Sequence, residues 1–123
     1  MKKEVPRITD GEMKVLEVLW ENSPAAAAEI VAVLKERINW NRNTTYTFIN
    51  RLVDKGAIKR EDPGFICTPL FSRDEVLLSE THSFLERIYQ GSLNLMISQF
   101  IENKALSRKE LEELRDLLDK STQ

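Results

Sequence analysis

Residues able to do covalent or metal chemistry are sparse in this 123-residue chain, and their isolation closes several functional classes. There is one histidine, His82, and one cysteine, Cys67. No Ser/His/Asp set, glycine-rich phosphate loop or zinc-type Cys/His spacing can be assembled around them. Glu110, Glu112 and Glu113 read as a solvated helix face rather than a catalytic pair. No enzyme, metal site or cofactor is expected. His82 is read as a helix-interface residue, Cys67 as a packed or edge residue, and Trp20 and Trp40 as core. The residues that stand out are of another kind. Arg42, Asn43, Thr44, Tyr46, Thr47, Asn50, Arg51 and Lys55 fall within one short segment that is thin in the Glu and Lys of an ordinary solvated helix face. Amide side chains can bond adenine through two atoms, threonine methyls can meet thymine methyls, and guanidinium and ammonium groups can meet phosphates.

Charge distribution favours the same segment. The net charge of −2 argues by itself against a nucleic-acid partner. Between Lys35 and Arg60, however, seven basic residues (Lys35, Arg37, Arg42, Arg51, Lys55, Lys59, Arg60) face only Glu36 and Asp54, a local +5. From Arg73 to the end, seven basic residues face ten acidic ones. A local phosphate-binding face on an otherwise acidic protein would produce this polarity.

Several elements are needed to position that segment. Thr9 and Glu12 have capping-box spacing, which opens a first helix carrying Met13, Leu16, Val18, Leu19 and Trp20 and ended by Asn22-Ser23-Pro24. A second helix is predicted from about Ala26 to Arg37 with a stripe of Ile30, Val31 and Leu34. After a four-residue break, with Asn41 as N-cap, a third helix runs from about Arg42 to Lys55. It has an apolar face of Thr45, Phe48, Ile49, Leu52 and Val53 and ends at Gly56. Ala57–Glu61 and Phe65–Leu70 then flank the turn Asp62-Pro63-Gly64 as a hairpin, with Pro69 at a strand end or edge. Three helices followed by a hairpin describe a winged helix-turn-helix, expected over residues 1–72. Its third helix would enter a major groove, and Lys59 and Arg60 of the wing would reach neighbouring phosphates. Arg51 and Lys55 are placed for backbone contact. The competing reading is a winged-helix protein-interaction module that does not touch DNA.

Residues 73–123 are expected to form a helical dimerisation region, making the fold class mainly α. A long helix to about Gln90 carries Val76, Leu77, His82, Leu85, Ile88 and Tyr89, broadened by Phe84. Gly91 breaks it. Leu93, Leu95, Met96, Ile97, Phe100 and Ile101 then cover almost every side of a short helix, which must be surrounded. Ser107 and Glu110 open a last helix with Leu111, Leu114, Leu117 and Leu118. A two-fold partner seated on Leu85, Ile88, Tyr89, Leu93, Leu95, Met96, Ile97, Phe100, Leu114 and Leu117 would supply the missing cover. It would also set two recognition helices about 34 Å apart, the spacing of successive major grooves. The alternative is a tail folded back on its own winged helix. Apolar residues at 41% and charged residues at 31% suit a globular chain, and no apolar run approaches a membrane span. The basic start lacks the apolar stretch of a secretory signal, and the lone cysteine fits a reducing compartment, so a cytoplasmic location without membrane insertion is expected.

Ile8-Thr9-Asp10-Gly11-Glu12-Met13 through Val18-Leu19-Trp20, together with Thr44 through Gly56, resembles the opening segment and recognition helix of the BlaI/MecI/CopY family of repressors. The similarity extends through the tail, at Phe84, Tyr89-Gln90-Gly91-Ser92, Phe100-Ile101-Glu102, Leu106-Ser107 and Glu110 to Arg115. The resemblance implies a homodimer that binds a palindromic DNA operator and blocks transcription. It is closest to the β-lactam branch, whose members are inactivated when a membrane sensor protease pathway triggers cleavage in the tail at an Asn-Phe bond. The matching pair here is Gln99-Phe100, a departure from that bond type. The copper branch releases DNA through a carboxy-terminal Cys-rich motif, and this chain has no cysteine after Cys67.

Overall fold

The structure is a computed structural model that describes residues 4–122. Helix α1 (Asp10–Glu21) starts at the capping box the sequence announces. The Glu12 N–H donates to Thr9 Oγ1 at 3.3 Å, and the Thr9 N–H donates to Glu12 Oε1 at 2.8 Å. Its buried stripe is Val15, Leu16, Val18 and Leu19. Helix α2 (Ala27–Ile38) buries Ala27, Ile30 and Leu34, one face at helical spacing, and ends on Asn39 in the left-handed region. Helix α3 spans Arg42–Lys55. Asn41 caps it by accepting from the Thr44 N–H at 2.8 Å, and Gly56 stops it with φ at 79°.

The hairpin forms as β2 (Ile58–Glu61) and β3 (Ile66–Pro69), antiparallel, with Pro69 as the last residue of its strand opposite Ile58. The sheet nevertheless has three strands, in the order β1-β3-β2. Strand β1 is Ala25–Ala26, paired antiparallel with Cys67 and Ile66. Alanine favours helix, so the sequence alone assigns Ala26 to α2. That preference amounts to only about 0.7 kcal/mol over ordinary residues, and pairing with β3 overrides it. Cys67 thus lies on the central strand, fully buried, and not at an edge.

The core unites α1, α2 and α3 with the sheet through Leu16, Leu19, Ile30, Ile49, Leu52 and Ile58. Gly11 is what lets α1 approach α3: a methyl group there would overlap the Phe48 ring. Trp20 is half-buried and its Nε1 donates to the Phe71 carbonyl at 3.0 Å. Trp40, also half-buried, stacks on Phe48 with ring centroids 5.0 Å apart.

Helix α4 (Arg73–Tyr89) opens with a reciprocal pair between Ser72 and Glu75, the same device as at Thr9. A first compact unit extends to Thr81, and the second begins at His82, so the division falls inside α4 and not after residue 72. The early turns of α4 belong to the first unit for a physical reason. Val76 is buried in the core, and the Glu80 carboxylate accepts the Ile8 N–H at 3.1 Å while pairing with Arg7. In the second unit, Ser92 caps α5 (Leu93–Glu102) and Ser107 with Glu110 caps α6 (Arg108–Ser121). No residue of α5 or α6 is buried, and His82 is exposed. Among the described residues, no helix is long and apolar enough to cross a membrane.

Candidate nucleic-acid interface

Helix α3 has two faces of opposite character. Thr45, Ile49 and Leu52 are buried against α1, α2 and the sheet. Arg42, Asn43, Thr47, Asn50 and Arg51 are exposed, and Thr44 and Tyr46 half-buried. Asn43, Thr47 and Asn50 follow i, i+4, i+7 spacing and therefore form one stripe. The Thr47 hydroxyl donates to the Asn43 carbonyl at 2.8 Å, which holds its side chain along the helix. Arg51 lies over the Phe48 ring at 5.3 Å, on a ring backed by Trp40. The stripe is uncharged until Asp54, and cations flank it.

Two sequence-selected residues occupy other roles. Lys55 does not project freely for phosphate contact. Its ammonium donates to Glu12 Oε1 at 2.6 Å and to the Arg7 carbonyl at 2.7 Å, neutralising a carboxylate that is fully buried. Burial alone would raise the Glu12 pKa, but the Lys55 bond and the Thr9 bonds outweigh it, so the group sits below its ordinary 4.5. Glu12 Oε2 is buried without a partner among the described residues, so Lys55 and Thr9 are all that offset the loss of solvation. Tyr46 is also committed. Its ring packs against the core, meets Phe65 edge-on at 5.8 Å and carries the Arg42 guanidinium at 5.1 Å.

The local +5 is correspondingly smaller in space. Arg37 makes a bidentate pair with Glu21 at 2.7 and 3.1 Å. Lys55 pairs with Glu12, Lys59 with Glu61 at 3.6 Å, and Arg60 with Asp62 at 3.2 Å. All four carboxylates lie outside the sequence window that gave the count, Glu61 and Asp62 directly after it and Glu12 and Glu21 well before it. Lys35, Arg42 and Arg51 remain without a carboxylate partner among the described residues. Lys59 and Arg60 are on β2, the outer strand of the wing, with side chains 56% and 41% exposed, so their weak pairs stay open to exchange.

Two contributors escaped the sequence reading. Glu12 was visible as a capping residue, but nothing local announces an ion pair spanning 43 positions. Phe65 reads in the sequence only as a strand residue, and it closes the wing turn against Tyr46 and Arg60. Cys67 offers no reactive thiol: burial raises its pKa, and nearby Arg60 only partly counters this.

The second unit presents a different kind of surface. Leu85 is buried, Tyr89 half-buried against Phe84 at 5.8 Å, and Ile88 exposed. Leu93, Leu95 and Phe100 of α5 and Leu117 of α6 are exposed, with Met96, Ile97 and Leu114 half-buried. A groove of about 320 Å³ between α5 and α6 is lined by Met96, Ile97, Phe100, Leu106, Leu114 and Leu117, with Glu110 and Glu113 beside them. The Gln99–Phe100 bond lies inside α5. The Gln99 carbonyl accepts from the Asn103 N–H at 3.0 Å and from its Nδ2 at 2.8 Å, and the Phe100 carbonyl accepts from the Ala105 N–H at 2.9 Å.

Comparison with known proteins gives a consistent result. Residues 8–120 match the family described as penicillinase repressor. The penicillinase repressor of Bacillus licheniformis is 35% identical over 119 residues, covering 95% of this chain and 93% of its own. The methicillin resistance regulatory protein MecI of Staphylococcus aureus strain N315 is 29% identical over 122 residues, covering 98% and 99%. Among solved structures, the DNA-binding domain of the repressor BlaI is 32% identical with a TM-score of 0.54, covering 61% of this chain and 93% of that one. The monomeric form of Bacillus licheniformis BlaI, in complex with the blaP half-operator, is also 32% identical over the same shares, with a TM-score of 0.51. The three helices and wing are therefore a winged-helix domain of the BlaI type, and the chain belongs to the penicillinase repressor family, the family of BlaI and MecI.

Proposed function

We infer that this protein is a homodimeric transcriptional repressor that binds a palindromic operator, with α3 in the major groove of each half-site. One observation carries the reading. The relative solved on a half-operator shares 32% of its residues and the winged-helix fold with this chain, and α3 here exposes a polar stripe where groove-entering helices carry their base-reading residues. Asn43, Thr47 and Asn50 read base edges, with Thr44 beside them. Arg42 and Arg51 bind phosphates on either side, and Lys59 and Arg60 extend the contact from the wing. Tyr46 acts as the support beneath Arg42. Lys55 is left out of the contact set because its ammonium is engaged by Glu12.

Dimerisation falls to the tail. Its support is the apolar surface of α5 and α6, which a lone chain leaves in water at Leu93, Leu95, Phe100 and Leu117. A second copy would cover it and link two DNA-binding units, raising the effective concentration of the second once the first has bound. Cleavage at Gln99–Phe100, within a membrane sensor protease pathway, would release such a dimer. The bond must first leave the helix, since both flanking carbonyls are hydrogen-bonded. Unwinding the last turn of α5 is thus part of the cost of inactivation. The protein acts where its operator is, in the cytoplasm.

The test is a gel shift with the full chain on the fragment upstream of its own gene. Binding should weaken steeply as salt rises, because phosphate contact releases counterions. No shift on any upstream fragment with micromolar protein refutes the repressor reading and leaves a protein-interaction module.

A further inference from the structure

The wing is joined to α3 through a side chain outside the DNA-facing set. Phe65 ends the turn between β2 and β3 with φ at 51°, in the left-handed region. Glycine or asparagine takes that conformation readily, whereas a bulky side chain there is strained. A phenylalanine held there must be fixed by its surroundings, and three contacts fix it. The Phe65 carbonyl accepts the Ala27 N–H at 2.9 Å, tying the turn to the start of α2. Its ring meets Tyr46 of α3 at 5.8 Å, with planes inclined by 66°. The Arg60 guanidinium lies 3.6 Å from the ring centroid.

Arg42 covers the Tyr46 ring at 5.1 Å. The order Arg42, Tyr46, Phe65, Arg60 is therefore a continuous ladder with a cation at each end, running from the first residue of α3 to the wing. Asp62 takes the Arg60 Nε at 3.2–3.3 Å, which leaves the terminal amino groups of that guanidinium as donors.

We propose that Phe65 is a positioning residue for DNA binding: it fixes the wing's Arg60 relative to α3, so that Arg42 and Arg60 present to the phosphate backbone as a set pair. This rests on the repressor reading above and deepens it.

A double-mutant cycle in the full chain tests it. Asn at position 65 suits the backbone and removes the ring, and Tyr keeps the ring. Affinity for an operator fragment is measured by fluorescence anisotropy at several salt concentrations for the unmodified protein, R60A, F65N, F65Y and R60A/F65N. R60A should weaken binding about tenfold and lower the salt slope by about 0.9. F65N should weaken it similarly, F65Y should stay near the unmodified value, and R60A/F65N should fall within about twofold of F65N alone. Multiplicative losses, reaching about a hundredfold in the double variant, or an F65Y as weak as F65N, overturn the proposal. A measurement without DNA separates failure of the ladder from failure of DNA binding. In the free protein, the Arg60 side-chain protons should carry an upfield ring-current shift that F65N abolishes. If that shift is absent from the unmodified protein, the ladder is refuted. If it is present and no fragment binds, the repressor reading has failed and the DNA-positioning role falls with it.

Discussion

Replacing Lys55 by Met keeps the length and apolar stem of the side chain and removes only its ammonium. The Glu12 carboxylate would then remain fully buried, with the Thr9 N–H and no cation. Removing one partner of a buried pair costs about 3–5 kcal/mol when both charges are enclosed. Lys55 is 31% exposed and Glu12 1%, so the pair is closed on one side only. Water can reach the position Lys55 vacates, which reduces the expected loss to about 2–3 kcal/mol at pH 7. Urea unfolding of the full chain would measure it. The pH dependence carries a second signature. Glu12 has a folded pKa below its ordinary 4.5, so its stabilisation is complete above pH 4.5 and is lost as pH falls through the folded value. In K55M the cation that depresses this pKa is gone, so burial pushes the group upward. The gap between K55M and the unmodified protein should therefore narrow in acid, once Glu12 is protonated in both. E12Q/K55M should recover part of the loss, because no unpaired charge remains. K55M with unchanged stability, together with a salt slope of DNA binding lower by about one, would refute the structural role and return Lys55 to the phosphate contacts.

Three further outcomes follow from the same geometry. R51A should weaken binding to all DNA sequences about equally and lower the salt slope by about one; loss confined to one base position in a binding-site selection would contradict a phosphate role. N50A should behave oppositely, relaxing discrimination at one base pair by about 1–3 kcal/mol, and uniform weakening across a set of mutated operators would remove it from the base-reading stripe. L95D/F100D should sediment as a monomer with the winged helix still folded, whereas an unchanged dimer would place the interface elsewhere.

Patterns set by neighbouring residues were legible in the chain. The capping boxes at Thr9 and Ser107, the limits of α3, Gly56 as its stop and the polar outer face could be read from spacing, because each is decided within a few positions. What long-range partners decide was not legible. Ala25–Ala26 becomes a strand only because β3 passes beside it. The early turns of α4 join the first unit because Val76 enters its core and Glu80 finds partners at Arg7 and Ile8. Charge suffered most. Counting along a window treats Arg37, Lys55, Lys59 and Arg60 as free, while Glu21, Glu12, Glu61 and Asp62 meet them in space. The proposed DNA-binding face was therefore better indicated by its uncharged stripe than by its net charge.

Hydroxyl-radical footprinting of the full chain on a dyad-containing operator tests most directly whether this protein acts as a two-fold DNA clamp. Two α3 helices carried by one dimer should protect two patches about one helical turn apart, near 10 base pairs, on one face of the duplex and symmetric about the dyad. R51A should fade both patches together. A single protected patch at saturation, or protection with no relation to the dyad, would contradict it.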